Sequence, residues 1–141
     1  MAERIAEKMA ADAGVTGVRF TSAAVTSQEL GHPIDPRGVR ELARGSYRTA
    51  DHRAHRITAD EVRGADLVIG MEQYHLDRLA RLVPGATNLA LMTDFDPAAT
   101  PGTEVDDPWY GPDSAFAVTR AELETAMPGV LAWVREHARA A

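Results

Sequence analysis

The chain has 141 residues, 45% of them hydrophobic and 26% charged, with no cysteine and a formal net charge of −6. This length and composition predict one globular domain over residues 1–141, and the lack of cysteine excludes disulfides and a cysteine nucleophile within these residues. The negative charge disfavours a nucleic-acid partner, and the arginines are scattered without a basic patch. No membrane-spanning run or secretory signal is recognisable, so we expect a cytoplasmic protein.

The first third of the chain predicts two helices around one strand. Residues 1–13 place apolar side chains at helical spacing. Residues 18–24 (VRFTSAA) open with alternating apolar residues, which is typical of a strand. Asp35 followed by Pro36 supplies an N-cap and a first helical residue, so a second helix is expected to begin there.

The middle of the chain predicts a strand between two helices. Thr58 with Glu61 three residues later forms a capping-box pattern for a short helix. Residues 66–71 (DLVIGM) are a short apolar run bounded by polar residues, which indicates a buried parallel strand. Leucines at helical spacing over 71–83 then predict another helix.

The last third predicts a strand over 87–95, a long loop, and a helix that begins near Asp113. Pro128 lies inside that helix and is expected to kink it or split it in two. Strands separated by helices indicate an α/β fold, with about three strands in a parallel sheet flanked by helices. In such sheets the chemistry gathers beyond the C-terminal ends of the strands.

The segment VDDPWYGPD (105–113) has the richest chemistry in the chain. It combines adjacent carboxylates with two aromatic side chains in a loop that follows a predicted strand. A carboxylic acid beside aromatic walls can have a raised pKa and serve as a general acid. The alternative is that Asp-Pro-Trp-Tyr-Gly is a packed turn without a chemical role.

The other polar residues suggest less. His52 and His55 lie three apart but lack the third ligand and the His-Glu-x-x-His pattern of a zinc site, so no metal is predicted. Isolated His75 suits a surface or capping role, and Ser22 is a candidate nucleophile without a Gly-x-Ser-x-Gly elbow. No Gly-rich phosphate cradle is present, so no nucleotide cofactor is expected.

Taken in order, several segments resemble the low-molecular-weight protein tyrosine phosphatase family over essentially the whole chain. The segments that carry the resemblance are MAE at the start, TSAAVTSQELGHPIDPRG, DHRAHRIT, ADLVIGME with the helix after it, and VDDPWYG before the last helix. The resemblance implies a four-stranded parallel sheet flanked by helices, hydrolysis of a phosphotyrosine protein or small phosphomonoester, and no cofactor. In the family, a cysteine thiolate attacks phosphorus within a Cys-x5-Arg loop that cradles the phosphate.

The resemblance also implies roles for single residues. Asp107 matches the aspartate that protonates the leaving phenol and then deprotonates the attacking water. Trp109 and Tyr110 match aromatics that wall the slot for the substrate ring, and Gln28 stands where an aromatic often lines it. These residues are the expected acid and substrate contacts.

At the N-terminus the chain departs from the family. Ser22 and His52 match residues that hydrogen-bond beneath the phosphate loop, but Met1 stands just after the family's loop, so the loop and first strand have no counterpart in these residues. Loss of a nucleophile reduces rates on the order of 10⁴–10⁶-fold, so we expect little or no catalysis. We also expect a rearranged three-stranded sheet or a homo-oligomer that fills the gap.

Three interpretations remain open from the sequence. The chain is an enzyme of this family whose N-terminus was lost through start-codon assignment, or a genuine phosphatase-like scaffold that binds a partner or phosphoprotein without hydrolysis. In the third, weak activity uses Ser22 or a water activated by Asp107. Codons upstream of Met1 that encode an apolar strand and a Cys-x5-Arg loop would favour the first.

Overall fold

Five α-helices and two short strands form the architecture of the computed structural model, which describes residues 1–26 and 31–137. The elements in chain order are α1 (Ala2–Asp12), α2 (Pro36–Arg44), α3 (Ala59–Gly64), β1 (Val68–Gly70), α4 (Gln73–Leu82), β2 (Leu89–Leu91) and α5 (Asp113–His137). Two 3₁₀ turns, Met92–Phe95 and Pro108–Tyr110, lie between β2 and α5.

The two strands pair in parallel, with Val68 opposite Leu89 and Gly70 opposite Leu91. Helix α4 connects them, as a parallel pair requires a crossover. This β-α-β unit confirms the expected α/β class with a parallel sheet flanked by helices.

The third expected strand is not formed. Of residues 18–24, only Ala24 pairs with another segment, in an isolated parallel bridge to Arg56. The Ala24 N–H donates to the His55 carbonyl at 2.8 Å, and the Ile57 N–H donates to the Ala24 carbonyl at 2.8 Å. The predicted three-stranded rearrangement is therefore wrong for the described residues, whose sheet has two strands. Alternation in a sequence indicates which side chains share a face, but a strand also needs a neighbouring backbone to pair with.

The strand predicted over 87–95 is shorter than expected. It ends at Leu91, and Met92–Phe95 continues as a 3₁₀ turn. The Asp94 carboxylate accepts from the Leu91 N–H at 2.9 Å, which closes that turn. A polar side chain that bonds to nearby backbone competes with the sheet ladder, so the strand stops here.

Two hydrophobic clusters hold the helices together. The larger one joins α1, α2 and α5 with the turn after β2, and its fully buried members include Ile5, Leu42, Met92, Leu123 and Met127. The smaller one packs α3 against α4 through Val62, Leu79 and Val83. Full burial of each such side chain stabilises the fold by about 1.5–3 kcal/mol.

The sequence signals predicted for the starts of α2 and α3 are confirmed. The Asp35 carboxylate accepts from the Arg37 N–H at 2.8 Å at the start of α2, and Thr58 with Glu61 forms the predicted capping box of α3. The expected split at Pro128 is wrong, because α5 runs unbroken from Asp113 to His137. Pro128 is exposed, while its neighbour Met127 is buried, so core packing on the opposite face holds the helix together despite the lost hydrogen bond.

Candidate active site

The loop that carries Asp107 is tied to the C-terminal end of β1. The Val105 N–H donates to the Met71 carbonyl at 2.9 Å, one residue beyond the strand. The Asp107 carboxylate accepts from the Trp109 N–H at 2.9 Å and so caps the 3₁₀ turn Pro108–Tyr110. The residues that follow β1 and the loop that carries Asp107 therefore meet at this edge of the sheet.

Both aromatic residues of the loop face solvent. Tyr110 is 88% exposed and Trp109 43% exposed. Large aromatic side chains are usually buried in part or in full, so their exposure beside a carboxylate is typical of a binding surface. The packed-turn interpretation does not account for Tyr110, which contributes almost nothing to the core.

Arg37 positions this loop, and the sequence analysis missed it. Its guanidinium donates to the Trp109 carbonyl at 3.0 Å and to the Gly111 carbonyl at 3.1 Å. Its central carbon lies 5.7 Å from the centre of the Trp109 ring and 4.7 Å from that of Phe116. The first turn of α2 thereby clamps a loop more than 70 residues away.

Asp35 holds Arg37 in turn. Its two carboxylate oxygens each lie 3.2 Å from a guanidinium nitrogen, a forked arrangement with both charges partly shielded. The hydrogen bond from Arg37 lowers the pKa of Asp35, and the same bond raises that of Arg37. The only sequence signal for this unit is Asp-Pro-Arg at a helix start, which also serves as an ordinary cap.

The edge of the sheet beside the loop is acidic. Burial raises the pKa of Glu72, and the carboxylates of Glu104, Asp107 and Asp106 raise it further. The Glu104 carboxylate also accepts a hydrogen bond from the Gln73 N–H at the start of α4. The negative charge around Glu72 therefore favours the protonated form of that carboxyl group.

His75 is a structural cap. Its Nδ1 accepts from the N–H groups of Met71, at 3.3 Å, and Glu72, at 3.1 Å. Burial lowers the pKa of His75, although Asp107 and Glu104 act in the opposite direction. The capping role expected for this histidine is confirmed.

Ser22 and His52 meet around a third residue, Glu3, which sequence reasoning missed. The Ser22 hydroxyl donates to the Glu3 carboxylate, and His52 Nδ1 lies 4.0 Å from the same oxygen. Burial lowers the pKa of His52 despite the nearby Glu3. The three side chains line a cavity of about 220 Å³ together with Arg4 and Ile34. Asp107, Trp109 and Tyr110 do not line it, so the predicted site residues fall into two groups.

The remaining candidates give no further site. Gln28 lies outside the described residues. His55 Nε2 is 2.9 Å from the Glu61 carboxylate, and within residues 1–26 and 31–137 no three His, Cys, Asp or Glu side chains are grouped as a metal would need. No helix of the described ranges is long and apolar enough to cross a membrane.

Comparison with known proteins agrees with the fold. The sequence profile described as low molecular weight phosphotyrosine protein phosphatase matches residues 1–140. Low molecular weight protein-tyrosine phosphatase A of Mycobacterium tuberculosis is 34% identical over 120 residues, which are 84% of this chain and 72% of that protein. The low molecular weight protein-tyrosine-phosphatase of Streptomyces coelicolor is 34% identical over 141 residues, covering 96% of this chain and 85% of that protein.

Solved structures show the same fold. A protein tyrosine phosphatase from Entamoeba histolytica superposes with a TM-score of 0.88 at 22% identity, over 96% of this chain and 87% of that one. YfkJ from Bacillus subtilis superposes with a TM-score of 0.87 at 19% identity, over 98% and 87% of the two chains. The fold is thus shared with these proteins. The chain belongs to the low molecular weight phosphotyrosine protein phosphatase family.

Proposed function

We propose that this chain is a phosphotyrosine phosphatase scaffold that hydrolyses phosphomonoesters very weakly or not at all. The observation that carries the proposal is the absence of cysteine from all 141 residues, in a family whose reaction uses a cysteine thiolate. Asp107 is the proposed general acid, Trp109 and Tyr110 the proposed walls of the substrate slot, and Ser22 with His52 the proposed support beneath the phosphate loop. Gln28 is proposed as a further slot residue.

The chemistry explains why Asp107 does not suffice. A general acid stabilises the leaving group only while another atom attacks phosphorus, so its contribution disappears without a nucleophile. Ser22 is the described residue nearest to that role, since Glu3 accepts its hydroxyl hydrogen and is placed to take the proton. Serine has no lowered pKa comparable to that of a thiolate, so we expect this route to add little.

Turnover of p-nitrophenyl phosphate tests the proposal. We expect the chain to release p-nitrophenol no faster than buffer, with Asp107→Asn and Ser22→Ala unchanged from the parent. The matched control is Asp113→Asn, which removes one exposed carboxylate at the start of α5. Turnover that falls at least tenfold in Asp107→Asn but not in Asp113→Asn would overturn inactivity and support the water-activation route, whereas a fall only in Ser22→Ala would support a serine nucleophile.

The alternative function is binding without hydrolysis, and the exposure of Trp109 and Tyr110 favours it. Such a scaffold would retain a phosphotyrosine peptide and leave it intact. The chain has two tryptophans, Trp109 and Trp133. In a Trp133→Phe background, the tryptophan fluorescence therefore reports only on Trp109 and its loop. A change on titration with the phosphopeptide, absent with the unphosphorylated peptide, would support binding; no change with either would contradict it.

We also propose that a second copy can cover the outer edge of β1. Among the described residues that strand has one partner, β2, so its other edge has no strand beside it. Unpaired edges favour association between chains. Light scattering that gives a monomer mass across a wide concentration range would contradict this proposal.

A further inference from the structure

Three arginines from two separate segments of the chain line one cleft on the α4 face. Arg56 forms the isolated bridge with Ala24, and Arg78 and Arg81 lie about one turn apart on α4. The cleft between them has a volume of about 280 Å³. The scattered arginines that predicted no basic patch thus form one here, because the fold brings two segments together.

Among the described residues, the arginines of this cleft lack the carboxylate partners that most of the other arginines have. Seven arginines elsewhere have a carboxylate within ion-pair distance, namely Arg4, Arg37, Arg40, Arg44, Arg48, Arg63 and Arg120. Within the described ranges, Arg56, Arg78 and Arg81 have none. The acidic groups on the flanking helices are engaged: Glu61 with His55, and Asp77 with Gln73.

The floor of the cleft is apolar. It is formed by Val25, Ile57, Leu79 and Leu82. Leu79 belongs to the buried cluster between α3 and α4, whereas Leu82 is 40% exposed. An exposed leucine beside unpaired guanidinium groups presents an apolar contact with a cationic rim. A ligand that matches it combines a hydrophobic group with negative charge.

The cleft is separate from the proposed phosphatase site. Glu72 and His75 stand at the beginning of α4, and Arg81 lies near its end. At 1.5 Å per residue, Arg81 is about 13 Å along the helix axis from Glu72. The two ends of α4 therefore differ in charge, acidic near Glu72 and basic near Arg81.

We propose that this cleft binds a short acidic segment of a partner protein, with one apolar side chain on the Leu79–Leu82 floor and carboxylates on Arg56, Arg78 and Arg81. The guanidinium fork matches a carboxylate in two-point contact, which gives orientation as well as charge. The net charge of −6 disfavours a long polyanion such as nucleic acid, while a short segment interacts mainly with the local positive rim. The opening has room for a side chain of the leucine or phenylalanine class.

Fluorescence anisotropy with labelled peptides tests the proposal. The probe is Glu-Glu-Leu-Glu-Glu, compared with Gln-Gln-Leu-Gln-Gln and Glu-Glu-Ser-Glu-Glu. We expect the first to bind and the other two to bind at least tenfold more weakly. The Arg78→Gln, Arg81→Gln double variant should weaken binding of the first peptide at least tenfold. The control double variant Arg19→Gln, Arg53→Gln removes the same charge from exposed arginines outside the cleft and should leave affinity within twofold.

Each other outcome overturns the proposal. Absence of binding by the parent chain contradicts the site, and an equal loss in both double variants means that overall charge alone attracts the peptide. Equal affinity for the leucine and serine peptides, or an unchanged affinity in Leu82→Ser, would show that the apolar floor of the cleft does not contribute to binding. Tighter binding to single-stranded DNA or to phosphatidylserine vesicles than to the peptide would assign the cleft to another class of ligand. Circular dichroism of the variants checks that they are folded.

Discussion

The Arg37 guanidinium stacks near the Trp109 ring, 5.7 Å from its centre, and donates to the carbonyl of the same residue at 3.0 Å. Arg37 therefore fixes both the backbone and the ring of Trp109, which lies two residues after Asp107. Because Arg37 is itself forked to Asp35, the start of α2 sets the shape of the proposed acid loop. This link makes the loop part of the helical scaffold.

Replacing Arg37 by lysine should loosen that loop. Lysine keeps the charge but loses the planar fork and the stacking, so we expect the free energy of unfolding to fall by about 1–2 kcal/mol. In the Trp133→Phe background, acrylamide should quench Trp109 fluorescence more strongly than in the parent. The control is Arg40→Lys, whose one contact, to Asp113, is 3.5 Å long and exposed. Equal quenching in the two variants would mean that Arg37 does not position the loop.

Glu41 should be the most sensitive carboxylate of the α2–α5 contact. It is 2% exposed, with Arg44 Nη1 at 2.7 Å and Arg120 Nε at 2.8 Å. Glu41→Gln keeps the shape but turns an amide N–H toward a cation, so we expect a loss of about 2–3 kcal/mol in urea unfolding. Glu136→Gln, on the exposed end of α5, should change stability by less than about 0.5 kcal/mol. A loss at Glu41 no larger than that of the control would contradict the role of the pair.

Gly129 allows α5 to approach the turn after β2. A Cβ at this position would lie 2.1 Å from the Phe95 carbonyl oxygen. This backbone atom can move aside only if the whole turn moves with it. Gly129→Ala should therefore destabilise the protein on the order of 3 kcal/mol. Gly64→Ala is the matched control, because a Cβ there meets no heavy atom within 4 Å and should be neutral or stabilising by up to about 1 kcal/mol. Thermal unfolding of both variants measures the difference, and similar melting temperatures would refute the close approach.

The half-buried cap His75 should make stability fall in mild acid. Its folded-state pKa is below the ordinary value of 6.5 because of burial, so the unfolded chain binds the proton more readily. The free energy of unfolding contributed by neutral His75 is present above pH 6.5 and is lost as the pH falls toward the folded-state pKa. His52, whose pKa burial also lowers, adds to the same trend.

Urea unfolding across this pH range measures the effect. His75→Asn keeps an acceptor for the two N–H groups but does not titrate, so its stability should depend less on pH than that of the parent. His137→Asn changes an exposed histidine and should keep the parent's dependence. A parent and a His75→Asn variant with parallel pH profiles would show that His75 is not the titrating group.

Features set by neighbouring residues could be predicted from the sequence. The caps at Asp35 and Thr58 depend on groups a few residues apart, and the apolar run around Ile69 indicates a strand by its own composition. Each of the three is present where expected. The strand predicted over 18–24 and the split predicted at Pro128 are absent, because both depend on packing against residues far away in the sequence. Residues 18–24 lack a neighbouring strand to pair with. At Pro128, core contacts on the opposite face of α5 keep that helix continuous.

By itself the sequence determined the family, the α/β class, the lack of cysteine in these 141 residues and the loop that carries Asp107 and its aromatic neighbours. These features follow from residue identity and short-range periodicity, which do not depend on how distant segments of the chain pack together. Only the tertiary structure decided that Arg37 clamps the Trp109 loop, that Glu3 joins Ser22 to His52, and that three arginines share a cleft. Side-chain hydrogen bonds and ion pairs act over a few ångströms, so separate segments of the chain can be joined in these ways only after the hydrophobic clusters have brought them together.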